Sequence, residues 1–132
     1  MLDTIIKYVG LIRLADVAPP KPSPRKRSSA WPEWSDRYMA RHPFCAVTGR
    51  LIWRNGKFIV EAALHHIVPF HLDPERELDE TNVLPMTEAP PFNAHLIVGH
   101  LGDWRSFNPE VVEDARKWRE KILCRPYFLK IG

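Results

Sequence analysis

Cysteine is scarce in this 132-residue chain, with Cys45 and Cys124 the two present. Two thiols build no disulfide framework, and such usage agrees with a reducing cytoplasm. Long apolar runs are missing as well. No stretch approaches the ~18 uninterrupted apolar residues of a membrane span, so no membrane association is expected. Residues 2–17 are interrupted by Lys7, Arg13 and Asp16 and lack a small-residue cleavage site, which argues against a signal peptide. Apolar content itself is ordinary: 45% of residues are hydrophobic and the mean hydropathy is -0.30. These values exclude a disordered chain, and the length bounds the answer to one globular domain.

Neither half of the chain lacks charge of either sign, yet the balance is uneven. Residues 1–60 carry 11 Lys/Arg against 4 Asp/Glu, whereas residues 61–132 carry 8 against 12. A basic half beside an acidic half that holds most of the histidines suits a polyanionic ligand together with a cation site.

Leu2, Ile5, Ile6, Val9 and Ile12 recur at helical spacing, so residues 2–16 read as an amphipathic helix. Four prolines between Pro19 and Pro24 then favour an extended arm ending in Arg25, Lys26 and Arg27, a triplet suited to phosphates and not to reading bases. The arm would equally serve as a linker. Pro32 in a first turn predicts a short helix from Trp31 to about Ala40, stopped by Pro43. Asn55-Gly56 between Leu51-Ile52-Trp53-Arg54 and Lys57-Phe58-Ile59-Val60 predicts a hairpin with a type I′ turn, its second strand running on towards residue 65. Val83-Leu84-Pro85-Met86 reads only as a short apolar piece. Asn93 is placed to cap a helix from His95 to roughly Leu101. Asn108-Pro109 opens a last helix in which Val111, Ala115, Trp118 and Ile122 share a face. Trp53, Phe58, Ile59, Met86 and Trp118 are the expected core contributors.

The chemistry centres on Leu64-His65-His66-Ile67-Val68-Pro69-Phe70. Adjacent side chains on an extended backbone face opposite sides. One imidazole of the His65-His66 dyad is thus able to ligate a metal while the other takes a proton. Asn82 follows in Glu77-Leu78-Asp79-Glu80-Thr81-Asn82, then His95 and His100. Phosphodiester hydrolysis needs an activated water, a cation at the phosphoryl and leaving oxygens, and fixed geometry. The order His-His, Asn, His supplies candidates for all three. Singly each is weak, because a histidine on an apolar strand is more often a satisfied structural residue and Asn a turn former.

Residues 28–121 resemble bacterial and phage HNH endonucleases of the ββα-metal fold. The resemblance lies in Arg27-Ser28-Ser29-Ala30-Trp31-Pro32, in His65-His66-Ile67-Val68-Pro69-Phe70-His71-Leu72 and in Asn93-Ala94-His95-Leu96-Ile97-Val98-Gly99-His100-Leu101-Gly102-Asp103-Trp104. It implies a ββα-metal core; with the helices and arm read above, the expectation is an α+β domain over residues 28–132 with a C-terminal helix, preceded by an amphipathic helix and basic arm over residues 1–27. It implies His66 as general base, Asn82 as the residue that positions loop and base, and His65 and His95 as metal ligands. His100 would be a third ligand or a phosphate contact, and His71 a supporting or structural residue. The cofactor would be one divalent ion (Mg, Mn, Zn or Ni), and the substrate double-stranded DNA met by Arg25, Lys26 and Arg27. A bacterial or phage-encoded cytoplasmic protein is implied. Two other functions remain open: a nucleic-acid-binding module without turnover, and a module whose N-terminus docks an inhibitor or another protein.

The pattern departs from that family at a second metal site. Relatives commonly hold a structural zinc with two cysteine pairs, and here Thr48, Met86 and Ala94 stand where three of those thiols would fall, leaving Cys45 alone. One thiol does not make a four-ligand site, so no structural zinc is expected.

Overall fold

The computed structural model describes residues 25–126. The helix expected over residues 2–16, and the arm as far as residue 24, lie outside the described residues. The described chain is α+β, with two helices around two small antiparallel sheets. No described helix is long and apolar enough to cross a membrane.

Helix α1 spans Trp31–Arg41, with Pro32 in its first turn and Glu33 favourably placed at the positive N-terminal end. Tyr38 and Met39 are its buried residues. The chain then folds through a tight turn closed by a bridge between Phe44 and Leu51. Strands β1 (Trp53–Arg54) and β2 (Lys57–Phe58) form the expected hairpin. Asn55 (φ 53°) and Gly56 (φ 76°) both adopt left-handed backbone, as a type I′ turn requires.

The second hairpin strand does not run on to the dyad. It ends at Phe58, the chain bends, and a separate strand β3 (Ala62–His66) begins. Its partner is β4 (Val83–Thr87), the run that reads from sequence only as a short apolar piece. The register sets Ala63 opposite Met86, His65 opposite Leu84 and His66 opposite Val83. Pro85 is tolerated because this sheet has only two strands, so a missing donor costs no interior ladder bond.

A π-helical segment, His95–Gly99, comes after β4, and helix α2 (Val111–Leu123) closes the described fold. The core lies between these elements, with Met39, Val47, Ile52, Met86, Val98 and Val111 drawn from both helices, the turn, β4 and the π segment. Trp53 and Met86 are buried as expected. Phe58, Ile59 and Trp118 are not: they are 39%, 40% and 43% exposed. The short hairpin projects Phe58 and Ile59 past the core. On α2 only Val111 and Ala115 reach the interior, and Trp118 packs at the surface on Phe92, ring centroids 5.4 Å apart.

Candidate functional site

Strand β3 divides the dyad as alternation demands. The His65 ring faces the π segment, with centroids 5.1 Å from His95 and 4.9 Å from His100. The His66 ring faces α1 and lies 5.0 Å from Trp31. Both rings line one cleft of about 510 Å³, together with His95, His100, Arg27 and Phe70.

The π geometry brings His95 and His100 together. Five residues apart on an α-helix would leave two side chains about 140° apart around the axis. Here the backbone N–H of His100 donates to the carbonyls of both His95 (3.1 Å) and Leu96 (3.3 Å), and the wider turn sets the two imidazoles 4.8 Å apart by centroid. Asn93 Oδ1 accepts from the Leu96 N–H at 2.9 Å, which caps the segment as expected. Leu101 (φ 55°) and Gly102 (φ 85°) then reverse the chain, ending the helical segment sooner than the sequence predicts. Ser106 thereby returns its carbonyl to His100 Nδ1 at 2.6 Å, and its hydroxyl donates to the His100 carbonyl.

Ligand atoms of His65, His95 and His100 all lie within 4.8 Å of one another. Nδ1–H of His100 donates to Ser106, which leaves Nε2 with its lone pair, 3.2 Å from His95 Nε2. His65 is 1% exposed, yet neither of its ring nitrogens has a hydrogen-bond partner, nor does His95 Nδ1. A buried polar atom without a partner costs about 1–3 kcal/mol. The unpartnered nitrogens of His65, next to the facing Nε2 atoms of His95 and His100, give one donor atom per ring for a shared ion. Burial, reinforced by the charges of His95, His100 and His66, pushes His65 down to about 3, and burial with His100 pushes His95 down to about 4. Both are neutral near pH 7, with lone pairs available. The three histidines are able to hold one metal ion, and nitrogen donors suit Zn or Ni better than the oxygen-seeking Mg. Among the described residues, no other group of three His, Cys, Asp or Glu side chains has such geometry.

Close packing fixes this arrangement. Gly99 lies against His65 so tightly that a Cβ there would meet His65 Nδ1 at 3.0 Å. Trp104 covers His95 and His100, 5.0 Å from each ring. Glu88 places Oε2 3.8 Å from His95 Nδ1. Asn108 donates to the Val98 carbonyl at 2.9 Å and anchors the start of α2 to the π segment.

His66 is held differently. Its Nε2–H donates to the Glu77 carbonyl at 2.9 Å, which leaves Nδ1 as the basic nitrogen. Burial lowers its pKa, opposed by the hydrogen bond to Glu77. Arg27 Nη1 stands 3.5 Å from Nδ1, too far for a strong bond. The Arg27 guanidinium sits between Phe70 (4.6 Å) and Trp31 (5.6 Å), and an ion pair at 3.7 Å holds it to Glu77. The Glu77 carboxylate also accepts the Ser28 N–H at 2.9 Å.

Asn82 is fully buried, and its side chain hydrogen-bonds to neither histidine of the dyad. Its Oδ1 accepts from the Val68 N–H at 2.9 Å, and its Nδ2 donates to the carbonyls of Val68 and Arg76, each at 3.2 Å. It clamps the loop that supplies Glu77, and so acts on His66 through the backbone. Arg25 pairs with Glu75 on the surface, Lys26 is exposed, and of the basic triplet only Arg27 enters the cleft. His71 is exposed at the cleft rim. Sequence alone does not single out Trp31, Glu77, Glu88, Trp104 or Ser106. Trp31 and Trp104 stand in the stretches that carry the resemblance and Ser106 lies within six residues of His100, whereas Glu77 and Glu88 come near the histidines only on folding.

Cys45, Met86 and Ala94 are wholly buried in one apolar core. There Cys45 Sγ accepts from the N–H groups of Thr48 and Thr87, each at 3.4 Å. Comparison of the chain with protein-family models, with curated proteins and with solved structures found no match.

Proposed function

We propose that this chain is a metal-dependent HNH-type endonuclease that hydrolyses phosphodiester bonds in double-stranded DNA. One observation carries the reading: three imidazoles whose donor atoms converge, the buried His65 among them without any hydrogen bond, line the same cleft as a fourth whose Nδ1 meets only Arg27 at 3.5 Å. The order β3, β4 and a helical segment bearing His95 supports a ββα-metal core. His65, His95 and His100 would hold the ion, which when bound stabilises negative charge on the phosphoryl and leaving oxygens.

The remaining roles fall to this chain's own groups. His66 Nδ1 accepts the proton of the attacking water as its oxygen bonds to phosphorus and the P–O bond to the leaving strand breaks. The Glu77 carbonyl keeps the imidazole in the tautomer that presents Nδ1, and Asn82 keeps the loop carrying Glu77 in register. Arg27, pinned between two rings beside His66, offers its guanidinium to the phosphate that enters the cleft.

A plasmid-nicking assay across Mg, Mn, Zn, Ni and EDTA tests the reading. Nicking is expected in at least one metal and not in EDTA, with His66→Ala slower by about 10²–10⁴-fold. Full activity in EDTA would remove the ion from the reaction. No nicking under any metal would leave a nucleic-acid-binding module without turnover.

A further inference from the structure

Behind the wall formed by Arg27, Leu64 and His66 lies a second cavity of about 430 Å³, which shares those three residues with the histidine cleft. Its volume falls within the ~300–1,000 Å³ of small-ligand sites. Trp31 and Phe58 supply aromatic surface, and Phe58 is 39% exposed although apolar, so its ring is open to a partner. Asp36, exposed on α1, also lines it, and its carboxylate has no hydrogen-bond or ion-pair partner among the described residues. The combination discriminates. Arg27 on the shared wall is held by Glu77, and Asp36 disfavours a second phosphate on this side, whereas an uncharged planar ring gains stacking on one side and a carboxylate acceptor on its edge.

We propose that this cavity receives one unpaired nucleobase of the substrate strand, adjacent to the phosphate in the cleft, and that Asp36 selects a base edge rich in N–H donors. Guanine, with a ring N–H and an amino group side by side, fits an ionised carboxylate in a two-pronged manner, and thymine offers a single donor. The site rests on the nuclease reading for its substrate, yet it is testable without turnover. A duplex enters it by turning one base out, at an energetic cost that a bulge or mismatch has already met.

The experiment measures binding of the full chain, in EDTA, to labelled duplexes carrying a single-base bulge of guanine, of thymine or of an abasic residue, by fluorescence anisotropy. Guanine is expected to bind roughly tenfold tighter than thymine, and the abasic bulge weakest. Asp36→Asn should bring guanine and thymine to within about twofold. Phe58→Ala should weaken both by roughly tenfold while leaving the fully paired duplex unchanged. Equal affinity for all three bulges, a guanine preference that survives Asp36→Asn, or no binding to DNA would overturn the proposal. Cleavage with no base preference sinks the base site and leaves the nuclease reading standing. A base preference without cleavage in any metal does the reverse.

Discussion

At one end of the β3–β4 ladder His65 stands opposite Leu84, and around it three ring nitrogens of His65 and His95 are buried without partners. At the other end Ala63 stands opposite Met86, and the nearby Cys45 thiol is equally buried but already accepts two backbone N–H groups. The same two strands thus support a polar cluster that is incomplete by its own hydrogen bonding and an apolar cluster that is complete. Burial alone does not distinguish the two ends. Satisfaction of the buried polar atoms does, and it assigns ligand binding to the histidine end and packing to the cysteine end.

Removing ligands should give the widest separation between these ends. His65→Ala and His95→Ala are expected to lose metal binding and nicking together, to background, while far-UV circular dichroism keeps the wild-type shape. Met86→Ala is expected to do the opposite. A fully buried methionine truncated to alanine costs about 2–5 kcal/mol, read by urea denaturation, with metal stoichiometry unchanged.

Acid should separate the ends more gently. His65 and His95 titrate at about 3 and about 4 in the folded chain, against about 6.5 when unfolded. Between those values the unfolded state binds more protons, so stability of the metal-free protein rises with pH there and is lost as pH falls below about 6.5. A denaturation series from pH 7 to 4 in EDTA reads the slope, and His95→Ala should flatten it. Met86→Ala should lower the whole curve without changing its slope.

The smallest effect belongs to the arm. Replacing Arg25 and Lys26 by glutamine should flatten the salt dependence of DNA binding by about one counterion for each phosphate that the arm no longer neutralises, with no change in metal binding. An unchanged slope would make that stretch a linker.

The legible part of the site was the part carried by local rules. Strand alternation separated His65 from His66, the Asn55-Gly56 turn announced the hairpin, and Asn93 announced its cap. The resemblance implies His95 and His100 as neighbours at a metal, but helical periodicity does not, because their five-residue spacing aligns only when the helix widens to the π form, for which sequence has no strong code. Gly99 is one trace of it: the residue without a Cβ falls where His65 needs the space. The partner of β3 was hidden for another reason. Val83-Leu84-Pro85-Met86 carries a proline that usually argues against a strand, and only its place in a two-stranded sheet permits it. Phe58, Ile59 and Trp118 misled because side-chain apolarity says nothing of where a short hairpin or a helix end projects.

Metal titration of the full chain by calorimetry, paired with a thermal melt in EDTA, tests the contrast between the two ends most directly. One tightly bound Zn or Ni ion per chain is expected, lost in His95→Ala and retained in His66→Ala. In EDTA the cooperative melt should persist, because the Cys45 and Met86 end holds by apolar burial. Two ions per chain, or collapse of the fold on chelation, would contradict this assignment and return a metal to the cysteine end. Retention of the ion by His95→Ala would take it away from the histidine end.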